Sequence, residues 1–163
     1  MVTLAILVAM EIVLSRFLSI NAWNIKIGFN FVPVVIAAML YGPIGGAVVA
    51  ALGDLLGALL FPIGAFFPGF TLTACLTGLV FGFFLHKSQT LPRIGGAVLI
   101  NQGILSLCLN TLWISILYGS PYGPLFITRI VQTLILIAVQ GVTIYAIAKV
   151  MPRLRSTLVS QMA

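Results

Sequence analysis

Between residues 29 and 61 the chain carries a single charged side chain, Asp54, in a run that is otherwise almost entirely apolar. A segment this long with no polar face cannot sit on the surface of a water-soluble domain, and it fixes lipid as the solvent. The rest of the chain repeats the pattern. Hydrophobic residues make up 61% of the sequence and charged residues 6%, whereas a soluble surface needs about a quarter of its residues charged. The expectation is a polytopic membrane protein. One span takes about 20 apolar residues, so the 163 residues hold about six spans with tight loops and leave no room for a soluble enzymatic domain.

Turn and charge signals mark six segments, at 2–19, 29–42, 43–61, 68–86, 94–118 and 124–150. All are expected to be helical, because backbone exposed to lipid must satisfy its own hydrogen bonds. The N-terminus enters its apolar run almost at once, with no basic region and no credible cleavage site, and reads as a first span rather than a removed signal peptide. Lys87 and Arg93 flank one connection, and Lys149, Arg153 and Arg155 follow the last span. The positive-inside rule places both clusters in the cytoplasm. The fold class is then an all-α bundle of six transmembrane helices, one domain over residues 1–163, with both termini cytoplasmic and the loops at 20–28, 62–67 and 119–123 outside.

The net charge of +6 is no nucleic-acid signal, since the basic residues are few and sit beside spans. Cys75 and Cys108 fall in apolar segments without CxxC or Cys/His spacing and read as free core thiols. The lone His86 lies beside Lys87 at a span end, so neither a metal nor a cofactor is expected.

Three basic residues escape the cytoplasmic clusters: Arg16, Lys26 and Arg129. Lys26 suits loop solvation or snorkelling. Arg129 lies inside the last span, where an ionisable residue is a functional candidate by default. At about 100° per residue, Arg129, Gln132, Thr133, Gln140 and Thr143 share one face of that span, and Gln102, Ser106, Asn110 and Trp113 share a face of the span before it. Such stripes face the bundle interior or a watery cavity. The deep members, Gln102, Ser106 and Gln140, suit interhelical hydrogen bonding equally well. Gly46, Ala50, Asp54 and Ala58 recur every fourth residue, as do Ala74, Gly78 and Gly82. Rows of small residues let backbones approach closely. Asp54 interrupts one, so its carboxylate must be paired, protonated or liganded. Either it pairs with Arg129, at similar depth, or each awaits a ligand. The loop FPIGAFFPGFT (61–71) is a stiff, aromatic, lid-like segment, and INAWNIKIG (20–28) adds Trp23, two asparagines and a lysine on the same side. Aromatics, amides and cations together suit a flat, polar, anionic ligand.

Ala5 and Ala9 form an AxxxA element in the first span. With it, GFNFVPVVIAAMLYGPIGGAVVAALGD (28–54) and FPIGAFFPGFTLTACLTGLVFG (61–82) resemble the S components of energy-coupling factor (ECF) vitamin transporters, and most closely the folate-specific branch. The likeness runs from the first span to the last. It implies a six-helix fold binding vitamin near the outer surface, and no ATP hydrolysis by this chain. It also implies partners: a transmembrane coupling subunit, docked through Ala5 and Ala9, and two ATPase subunits. The whole S component would rotate in the membrane to carry folate inward.

The chemistry of folate then suggests roles. Asp54 could accept from the pterin edge, supplemented by Asn110 or Gln132. Phe31, Phe67 and Trp113 could sandwich the flat rings, and Arg16, Lys26 or Arg129 could meet the glutamate carboxylates. Glu11, deeper, is expected to pair within the bundle. Another vitamin remains an alternative substrate. A self-sufficient proton-coupled transporter is the alternative from another class, because Glu11 and Asp54 are membrane-embedded acids. An enzyme or a channel finds no matching residue pattern.

Overall fold

The computed structural model describes residues 2–22 and 25–162, with side chains described for 2–19 and 28–151. Trp23 and the side chains of Lys26, Arg153 and Arg155 lie outside the described residues. The elements are α1 (Val2–Arg16), a hairpin of β1 (Ile20–Ala22) and β2 (Ile25–Ile27), α2 (Phe31–Leu60), α3 (Pro68–Leu85), α4 (Leu91–Leu99), a π-helix (Ile100–Asn110), α5 (Thr111–Tyr118) and α6 (Tyr122–Met162). Among the described residues, four helices are long and apolar enough to cross a membrane: Phe31–Leu60, Pro68–Leu85, Leu91–Tyr118 and Tyr122–Met151.

The boundary expected between residues 42 and 43 is a sharp bend within α2. Gly42 has φ 77° and ψ −164°, a conformation open to glycine, and Pro43 follows with no N–H to donate. The bend reverses the chain. A Cβ built on Gly46 would come within 2.9 Å of the Ala38 Cβ, although eight residues of straight helix span about 12 Å. The two arms of α2 therefore pack against each other. Pro43 also deprives the Met39 carbonyl of its i+4 partner. His86, at the end of α3, fills the gap with Nδ1 3.2 Å from that oxygen, and its ring also lies against Gly42. His86→Ala is expected to cost about 1–3 kcal/mol by stranding this acceptor. Thermal unfolding in detergent reads the loss; an unchanged melting temperature would show that the carbonyl has another donor.

The second arm of α2 meets α3 backbone to backbone. A Cβ on Gly78 would collide with the Gly46 carbonyl, and one on Gly82 with Pro43. This is the close approach the small-residue rows foretell. Around it sit Val35, Ala37, Ala38, Val49, Phe81, Leu85, Val98 and Ile144, each essentially inaccessible.

Three features differ from expectation. The 20–28 segment contains a two-stranded hairpin, Ile20 opposite Ile27 and Ala22 opposite Ile25. Each strand has only three residues, so the alternation around Asn21 and Lys26 is too short to stand out from a polar loop. The last helix continues to Met162, beyond the expected end at 150, because a helix leaving lipid need not stop there. Cys75 and Cys108 are free thiols, but Cys108 is exposed rather than in the core. Its Sγ lies 3.4 Å from the Gly103 carbonyl, five residues back.

Candidate functional site

A cavity of about 530 Å³ opens among α1, α2, α3, the π-helix and α6, within the range of small-ligand sites. The loop from Pro62 to Phe67, with Gly28 and Asn30, lines one end. Gln140 lies eleven residues along α6 from Arg129 and also lines it, so the cavity runs about 16 Å along that helix. It suits an elongated ligand.

Asp54 sits in the wall with defined partners. Thr71 Oγ1 donates to its Oδ2 at 2.9 Å. Arg16 Nη2 lies 4.0 Å from Oδ1 and donates to the Asp54 main-chain oxygen at 3.4 Å. The Asp54–Arg129 pairing raised by the sequence is thus replaced by Asp54–Arg16. The second glycine row of α2 explains the choice. A Cβ on Gly57 would stand 2.9 Å from Arg16 Nε, and one on Gly53 would collide with the Glu11 carboxylate. Bare backbone at these two positions lets α1 lay both charged side chains against α2. Glu11 is 3% exposed and reaches the cavity wall.

Arg129 is 6% exposed, and its Nη1 has no hydrogen-bond partner among the described residues. The same holds for both amide atoms of Asn101 and for the Oε1 atoms of Gln102 and Gln140, all on the cavity wall. Buried polar groups are nearly always hydrogen-bonded. Beside a cavity, such a cluster is where polar groups of a ligand or ordered water find partners.

Of the residues the sequence nominates, Arg16, Phe31, Asp54, Phe67, Asn110, Arg129 and Gln132 line this cavity. Trp113 stands behind the wall. Its indole N–H donates to Thr73 Oγ1 at 3.0 Å, and its ring lies 5.5 Å from that of Phe67. Trp113 therefore props Phe67 rather than facing the cavity. The side chain of Lys26 lies outside the described residues. Ala5 and Ala9 are exposed on α1, away from the cavity. Sequence reasoning missed Asn101, which the α-helical period places opposite Asn110, and Thr71, which carries no signal beyond its position in the first turn of α3.

Comparison with known proteins agrees with this geometry. Residues 1–148 match the family described as ECF transporter, substrate-specific component. A folate transporter FolT of Clostridium novyi (strain NT) is 40% identical over 155 residues, 94% of this chain and 90% of the relative. A folate transporter FolT of Leuconostoc mesenteroides is 34% identical over 146 residues, 85% and 78% of the two chains. Among solved structures, the crystal structure of FolT bound with folic acid superposes with a TM-score of 0.86 at 32% identity, covering 91% of each chain. An S component is a transporter subunit and not an enzyme. The chain belongs to the family of ECF transporter substrate-specific components, multi-pass membrane proteins built to hold a substrate.

Proposed function

We propose that this chain captures folate in the cavity between α1, α2, α3, the π-helix and α6, and serves as the folate-binding S component of an ECF importer in a bacterial cell membrane. The cavity's chemistry carries the proposal: two arginines toward the loop end, unpartnered amides toward the other, and aromatic side chains between helices. Folate has the complementary layout. Its glutamate carboxylates meet Arg16 and Arg129 in charge-assisted pairs. Its pterin edge, with adjacent donors and acceptors, lies among Asn101, Gln102 and Gln140. Phe31 and Phe67 supply walls for the flat rings, with Asn110 and Gln132 beside them. Asp54 then acts mainly by holding Arg16 in position. The curated relatives named as folate transporters and the folic-acid-bound neighbour support this substrate.

Asp54→Asn keeps an acceptor for Thr71 but removes the charge opposite Arg16. It is expected to weaken folate binding at least tenfold, about 1.4 kcal/mol. Wild-type affinity in a folded variant would take Asp54 out of the site.

Six membrane-embedded segments complete the proposal: α1, the two arms of α2, α3, the rod from α4 through α5, and α6. Both termini face the cytoplasm, consistent with the basic residues at 87–93 and 149–155. Ala5 and Ala9 then offer a flat, exposed patch to the coupling subunit, two ATPase subunits supply the work, and the chain rotates to release folate inward. Ala9→Trp is expected to cut folate uptake by cells carrying the whole transporter about tenfold or more, while folate affinity in detergent stays within about twofold. Equal loss of binding and uptake would place Ala9 in the fold instead. Uptake by the chain alone in liposomes, driven by a pH gradient, would favour a self-sufficient transporter.

A further inference from the structure

Every acidic residue of this chain lines the cavity. The sequence holds two, Glu11 and Asp54, and both stand on the wall. A pocket that offers two arginines to an anion is an unexpected place for them. Asp54 has its explanation: it accepts from the Thr71 hydroxyl and lies against Arg16. Glu11 is a different case. Its carboxylate reaches the backbone of Gly53, the residue before Asp54, where any Cβ would collide with it. Glu11 is 3% exposed, against 21% for the Asp54 side chain.

The cavity's charges decide what happens at Glu11 when a dianion enters. Among the described residues, Arg16 on α1 and Arg129 on α6 balance Glu11 on α1 and Asp54 on α2. The other titratable group on the wall is Tyr118, at the end of α5, and α3 and the π-helix contribute none. The wall is thus neutral while both acids are ionised. Folate adds two carboxylates and displaces water that screens these charges. A folate carboxylate that engages Arg16 also draws it from Asp54, one residue from the Glu11 contact. Uncompensated charge in a membrane-embedded site is costly, and two neighbouring carboxylates hold a proton between them to relieve their repulsion. Asp54 keeps the Thr71 hydroxyl beside its charge, so the proton belongs on the more deeply buried Glu11.

We infer that this chain takes up one proton with each folate, and that Glu11 carries it. The inference rests on the folate reading of the cavity. Glu11 is a coupling group and not one more ligand contact. It is ionised in the empty protein, where it balances the arginines, and neutral in the loaded one, where folate's carboxylates balance them. Linkage works in both directions. Folate favours the protonated state, so protons favour folate, and affinity rises as pH falls, by at most about tenfold per pH unit for one proton.

Calorimetry of folate binding in detergent at about pH 7, run in buffers of low and high ionisation enthalpy such as phosphate and Tris, counts the protons. The dependence of the observed enthalpy on the buffer is expected to show uptake of about one proton per folate by the parent protein and about none by Glu11→Gln. The parent is expected to bind folate at least about threefold more tightly at about pH 6 than at about pH 7.5, and Glu11→Gln to change by less than about 1.5-fold. Melting curves show whether the variant is folded. Glu11 is the chain's single glutamate, so infrared difference spectra of the parent, labelled isotopically at glutamate, read the same event without a substitution: folate is expected to remove a carboxylate band and add a carboxylic acid band. Folate binding with no proton uptake, or with uptake undiminished in Glu11→Gln, would overturn the inference and leave the folate reading standing. A folded protein that binds no folate would overturn both.

Discussion

Replacing Arg129 by methionine is expected to raise the melting temperature of the ligand-free protein and to weaken folate binding by about 10- to 100-fold. The two effects share one cause. The guanidinium is 6% exposed and its Nη1 lacks a partner among the described residues. A buried cation without compensation costs several kcal/mol of desolvation, and Met fills similar volume without that cost. The same unpaired group is what a folate carboxylate would engage, and a hydrogen bond to a charged group is worth about 1.5–3 kcal/mol. Stability forfeited in the empty state in return for affinity is the usual trade at a binding site. Melting curves with and without folate check both signs. A variant that is less stable and binds normally would make Arg129 a structural residue.

Gly78→Ala is expected to be among the most damaging single-methyl additions in this chain. Its Cβ would meet the Gly46 carbonyl and stand 2.6 Å from the Ala47 nitrogen. These are backbone atoms, which cannot swing aside as a side-chain tip can. Forcing the α2–α3 contact apart is expected to cost about 3 kcal/mol or more, enough to remove much of a typical domain's stability. Gly141→Ala provides the contrast. A Cβ added there would meet nothing within 4 Å, and alanine favours helix over glycine by about 0.5–1 kcal/mol. The yield of monodisperse protein in detergent should collapse for the first and hold or rise for the second. Similar yields would mean that the two helices have room to separate.

The parts of this structure visible in the sequence are those governed by short-range rules. Gly42–Pro43 announces the bend because glycine alone accepts that backbone conformation and proline cannot continue the ladder. The spacing of Gly78 and Gly82 announces a close helix contact. The polar stripe of α6 follows the 3.6-residue period, and Arg129, Gln132 and Gln140 line one cavity. What was hidden depends on how helices are rotated against each other. Arg16 ends α1 and Arg129 lies in the first part of α6, and sequence position cannot tell which faces Asp54; the glycines at 53 and 57 tip the choice to α1. Trp113 shares a stripe with Asn110 yet ends behind Phe67, since a large ring packs where a small residue, Gly69, leaves space for it. Asn101 was lost for a different reason: periodicity arguments assume one helical repeat, and the π-helical segment changes it where the site is built.

Whether this chain alone recognises folate is decided by calorimetric titration of the purified protein in detergent, with riboflavin and thiamine as controls. One-to-one binding of folate and of neither control is expected, with no partner subunit needed for capture. A folded protein that binds riboflavin or thiamine instead, or takes up no folate at all, would contradict the assignment.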